Sequence, residues 1–181
     1  MLDLLPAPPE VADGSWPFRI HTLERAADVR LVSFQWTHLA AEAVAAGRDG
    51  DGLIQLAIEN SMTDSATIKS LVAVVSQEMG LTMPSRGQAI EALALMFCEY
   101  VMVGRLSLEE GLNAIVTLDH YYKEGGPLAR FWMLELEAAE APEWSGVSRD
   151  EVAVRVESTM RGFLRATDGG FAGRLVALTS R

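Results

Sequence analysis

The sequence predicts an all-α fold, a single-domain helical bundle of about seven helices arranged around one buried helix at residues 85–104. The first sign is the stretch SRGQAIEALALMFCEYVMVG, which carries helix signals at both ends and is apolar over most of its circumference. Next, apolar residues recur at helical steps through most of the chain. Finally, strand-like composition is confined to Val29–Trp36 and to the C-terminal end.

The central stretch is justified residue by residue. Ser85 followed by Gln88 matches a capping box, in which each side chain satisfies a free backbone donor at the helix start. Gly104 supplies the left-handed residue that commonly ends a helix. From Gln88 to Gly104 only Gln88, Glu91 and Glu99 are strongly polar. At about 100° per residue these fall within roughly 80° of one another. A helix with so narrow a wet stripe is expected to be enclosed by other elements. It is shorter than the roughly 20 apolar residues that span a bilayer, and its glutamates argue further against that role.

The remaining elements follow in order. Residues 1–20 contain Pro6, Pro8, Pro9 and Pro17, which block helix interiors, and they read as an extended arm with Trp16 and Phe18 packing back onto the body. The single α-helical domain then runs over 21–181. Thr22 opens a helix expected to reach Ala46, with Leu23, Ala27, Leu31, Phe34, His38 and Ala41 on one side. The run VRLVSFQW inside it has strand composition, but the Ala-rich flank AAEAVAA favours helix. Leu53–Asn60 is a short apolar helix, and Thr63 or Asp64 caps another that presents Ile68, Leu71, Val72, Val75 and Met79 before Gly80.

Ser107 and Glu110 form a second capping box directly after Gly104, so the helix they open is an antiparallel neighbour of the central one. It carries Leu108, Leu112, Ile115, Leu118 and Tyr122 inward and stops at Gly125–Gly126. Pro127 suits the first position of LARFWMLELEAAEA, with Leu128, Phe131 and Trp132 on the apolar side. Ser148 and Glu151 box the start of a helix with Val152, Val156, Met160, Phe163 and Leu164 inward. The final FAGRLVAL is too short to assign between a last helical turn and a strand.

Composition narrows the function classes. The 181 residues carry a formal net charge of −10, and the pI is near 4.7. That sign repels phosphate backbones and anionic lipid, so neither nucleic acid nor membrane is an expected partner; the expected partner is another protein, and an acidic surface keeps the chain soluble and can steer a basic one toward it. One cysteine, Cys98, excludes an intrachain disulfide framework and fits a reducing compartment. The start MLDLLPAPPE lacks the basic and apolar regions of a secretory signal, so the expected location is the cytoplasm.

Catalytic and metal motifs are poorly supported. The loop GRDGDG invites calcium, but both end ligands of an EF-hand alignment, Gly47 and Ile58, are wrong. His38 and Glu42 share a helix face, and Asp119–His120 could add to them, yet no HExxH or Glu-x-x-His pair occurs; no metal and no cofactor is expected. Cys98 sits between apolar neighbours in the helix expected to be buried, which makes a thiol inert. Neither GRDGDG nor KEGGPL has the Lys-Ser/Thr of a P-loop, and no GxSxG elbow is present.

The leading expectation is therefore an acidic, cytoplasmic, non-catalytic protein-interaction module, of the kind that serves as an immunity protein, adaptor or small chaperone. Its interface candidates are Trp16, Tyr121, Glu135, Glu137, Glu140 and Trp144. The alternative is a helical small-molecule-binding protein or enzyme, with a pocket beside the central helix lined by Glu91, Glu99, Asp119, His120 and Tyr122. Homo-oligomerisation is compatible with both.

Overall fold

Pro17 starts a helix instead of prolonging an extended arm. Its missing N–H costs nothing in a first turn, where that donor is free in any case, and its fixed φ suits the helix. The computed structural model describes residues 14–60, 62–120, 128–140, 148–167 and 170–180. Among these the chain forms nine helices and no strand: α1 (Trp16–Ala27), α2 (Trp36–Ala45), α3 (Asp51–Ile58), α4 (Ser65–Glu78), α5 (Arg86–Met102), α6 (Leu108–His120), α7 (Ala129–Glu140), α8 (Arg149–Arg165) and α9 (Gly170–Thr179). The all-α class is as the sequence predicts. The count exceeds seven because the helix expected over 22–46 is broken and because FAGRLVAL belongs to a full helix.

The break is a correction with a visible cause. Asp28 takes a left-handed conformation, φ 58°, and closes α1. The buried Glu24 carboxylate then accepts hydrogen bonds from Leu31 N (2.8 Å) and Val32 N (2.7 Å), satisfying donors that a continuous helix would have used internally. The strand-like composition of this run thus outweighs its Ala-rich flank. Thr22, expected as a cap, lies inside α1, where its hydroxyl donates to Phe18 O.

Contacts group the chain into two compact units, residues 1–85 with 175–181 and residues 86–174. In the first, Phe18, Ala40, Ala43, Leu53, Leu56, Leu71, Val72 and Val75 form a buried cluster. Full burial of each large side chain contributes about 1.5–3 kcal/mol. Asp64 caps α4 by accepting from Ala66 N and Thr67 N. The end of α9 is tied in by Arg19, whose guanidinium donates to Thr179 Oγ1 (2.7 Å) and Ser180 Oγ (3.1 Å), and by Thr82 N, which donates to Thr179 O (3.0 Å).

In the second unit, α5 is enclosed as its sequence requires: every residue from Ala92 to Cys98 is buried, while Gln88 is exposed and Glu91 and Glu99 are partly so. Gly104, φ 73°, closes the helix. Ser107 N donates to Glu110 Oε2 and Glu110 N to Ser107 Oγ, completing the box that starts α6. Ile115 and Leu118 of α6, Phe131 of α7 and Val156, Met160 and Phe163 of α8 are buried. The rings of Phe131 and Phe163 meet edge-to-face at 5.7 Å, with Arg130 4.9 Å above Phe163. Trp132, expected on the apolar side, is 40% exposed.

Candidate functional site

An open cleft of about 580 Å³ lies between the first turns of α6 and α8 and the second half of α7. Its floor is set by helix starts. The capping box of α6 fixes the turn carrying Leu108 and Leu112. The box of α8, with Ser148 N donating to Glu151 Oε2 at 2.8 Å, fixes the turn carrying Val152 and Val156. These hydrogen bonds, led by the backbone N–H of Ser107 and of Ser148, hold the Glu110 and Glu151 carboxyls below the usual carboxylate range. From α7 come Glu135, Leu136, Ala138 and Ala139. Arg155 spans both carboxylate oxygens of Glu137, at 2.7 Å and 3.0 Å, and so links α8 to α7 beside the cleft.

The cleft offers little chemistry beyond burial. Leu112, Val152 and Val156 form an apolar floor, and Glu109, Glu135 and Arg149 supply charge. Among the described residues its lining holds no cysteine, histidine, serine, threonine or tyrosine. Such a surface can exclude water from an apolar guest and orient it by charge.

The two glutamates of α5 named for a pocket beside that helix, Glu91 and Glu99, both meet α9. Glu99 Oε1 accepts from Phe171 N at 2.7 Å, an anion at a helix start. Burial pushes its carboxyl up, and the Phe171 hydrogen bond offsets part of that shift. Glu91 lies 3.6 Å from the Arg174 guanidinium. Asp119 and His120 end α6, and Tyr122 lies outside the described residues.

The interface candidates divide. Trp16 is only 3% exposed and belongs to the core, which corrects its reading as a contact residue; being at the first position of α1 turns it inward. Glu135 lines the cleft, Glu137 is paired with Arg155, and Glu140 ends α7. Tyr121 and Trp144 lie outside the described residues.

Other sequence features have structural roles. Cys98 is fully buried, and burial pushes its thiol up to about 12, far from a reactive thiolate. In the GRDGDG region, Glu78 of α4 accepts from Gly52 N at 2.9 Å and so serves the start of α3. His38 and Glu42 do face each other, at 3.3 Å, on an exposed surface. Among the described residues no group of acidic, histidine or cysteine side chains could hold a metal ion. No described helix is long and apolar enough to cross a membrane.

Sequence reasoning missed the cleft. It also missed a partly exposed aromatic cluster in which Phe34 and Trp36 stack at 4.4 Å and His21 meets both edge-on. The aromatic content of VRLVSFQW was the available signal for the cluster. The cleft had none, because it depends on how three helices pack together. Comparison of the chain with family models, with curated proteins and with solved structures finds no match.

Proposed function

We propose that this chain is a non-catalytic protein-interaction module of the cytoplasm, receiving a segment of another protein in the cleft between α6, α7 and α8. The observation that carries the reading is the open apolar floor of that cleft, about 580 Å³ in volume, on a chain of net charge −10. An apolar centre with a charged rim is the general anatomy of a protein interface. The inert Cys98 and the engaged Glu91 and Glu99 give catalysis no support.

The test is co-purification with the full chain and with an Ala139→Arg variant, Ala139 being an exposed residue of the cleft. The expected result is a stoichiometric protein that binds the purified wild type directly and is lost with the variant. Recovery of no such protein at low or high salt counts against the proposal. Sedimentation at two concentrations reads whether the partner is a second copy of this chain.

A small-molecule site is the second reading. The cleft volume of about 580 Å³ falls within the range of about 300–1,000 Å³ usual for ligand pockets. Native mass spectrometry of the purified chain tests it through a retained mass that Ala139→Arg removes.

A further inference from the structure

Resting on that interaction reading, we propose that the cleft's occupant is an amphipathic helix of a partner protein, with Lys or Arg residues flanking its apolar stripe. Shape is the first argument. The cleft is walled by helices on each side, and Ala139 and Ala153 leave room on facing walls for a backbone to come close. Small side chains at a helix contact shorten the distance between axes. The apolar surface also continues beyond the cleft along α7. Trp132 is 40% exposed and Met133 52%, and they precede Leu136 by four and three residues, so they share its helix face. From Trp132 to Ala139 the helix rises about 10 Å, two turns for a docked helix to follow. A long apolar strip of this kind fits a helix better than a compact ligand.

Charge selects the kind of helix. Of the charged residues lining the cleft, Glu109 and Glu135 outnumber Arg149, and the Arg155 guanidinium beside it is paired with Glu137. A helix with acidic flanks would bring like charges together in partly desolvated surroundings, whereas a basic one gains complementary pairs and a faster approach. The same excess of carboxylates disfavours a fatty acid or a phosphorylated ligand at this place.

The experiment uses displayed helical peptides with a fixed apolar stripe and randomised flanks, selected on the full chain and deselected on Ala139→Arg. Lys and Arg are expected to outnumber Asp and Glu at the flanks of the survivors. The best survivor should bind about tenfold more tightly than its charge-reversed counterpart, lose affinity as salt rises, and shift the methyl resonances of Leu112, Val152 and Val156. The double variant Glu109→Lys/Glu135→Lys, on exposed and half-exposed positions, should invert the preference. Cleft-dependent survivors with neutral or acidic flanks overturn the charge inference and leave the interaction reading standing. Absence of any cleft-dependent helical survivor overturns the inference. If a small apolar fluorophore then binds the wild type and not Ala139→Arg, the cleft is a ligand pocket and the interaction reading falls as well.

Discussion

Two links between consecutive helices, 28–35 between α1 and α2 and 103–107 between α5 and α6, are held by opposite means. The second is local. Gly104 adopts its left-handed conformation without strain, Arg105 N donates to Tyr100 O at 2.8 Å, and Ser107 and Glu110 box the next helix. Every partner lies within five residues. The first link has no glycine. Asp28 bears the left-handed conformation, and the donors of Leu31 and Val32 are satisfied by one carboxylate, from a Glu24 that is only 3% exposed. Residues beyond it are held by rings: Phe34 on Trp36, with Phe18 and His21 against Trp36. A break made of capping residues can be read from the sequence, whereas one made by a buried side chain needs the fold.

That contrast can be broken at several points. The largest effect is expected for Glu24→Ala, which leaves two backbone donors without an acceptor, one of them on the buried Val32. Loss of about 3 kcal/mol in denaturant unfolding is the expected outcome; an unchanged midpoint would show that water replaces the carboxylate. Gly111→Ala comes next. A Cβ there would collide with Val101 Cγ2 of α5, the close approach that the tight α5–α6 hairpin demands. Overpacking of this kind costs about 2 kcal/mol, read by thermal unfolding.

Smaller effects sharpen the local side of the comparison. Gly104→Ala and Ser107→Ala should each cost about 1 kcal/mol, one through backbone strain and one through a lost cap. Asp28→Gly should change stability least, within about 0.5 kcal/mol, because relief of the left-handed strain is set against a more flexible unfolded chain. A large loss there would mean that the Asp28 side chain, not Glu24, holds the first link.

Acid titration separates buried from capping carboxylates. Glu99 has its native carboxyl raised above the ordinary 4.5, so the folded state binds that proton more tightly than the unfolded chain. Its contribution to stability is fully present below 4.5 and declines as pH rises through its raised native value. Glu110 and Glu151 behave oppositely. Their native values are lowered, so their contribution is present above 4.5 and is lost as pH falls through those lowered values. Glu99→Gln keeps an acceptor for Phe171 N but removes its own titration. The stability profile of the variant above pH 4.5 should therefore be flatter than that of the wild type, as read by denaturant midpoints across pH; superimposable profiles would remove Glu99 from the account.

How much of the candidate site was legible follows the same division. The boxes Ser107–Glu110 and Ser148–Glu151, and the inward positions Leu112, Val152 and Val156, were readable, and they make two sides of the cleft. The cleft itself was not, because a space shared by three helices leaves no mark on any one of them. Trp132 shows the limit, since its periodicity put it on the apolar side while the packing of Phe131 and Phe163 turned it outward. Trp16 shows the converse, a position read as exposed that the start of α1 buries.

By itself the sequence determined the helical class, the enclosure of Ala92–Cys98, and the starts of α4, α6 and α8, because periodicity and caps act within about one turn of the chain. Only the tertiary structure decided where the first helix breaks, that residues 170–179 are helical, and that the glutamates of α5 serve α9. Glu99 and Phe171 are 72 positions apart, and Arg19 and Thr179 are 160 apart. Neither member of such a pair carries a local signal of the other, since the hydrogen bond exists only once packing has brought them within reach.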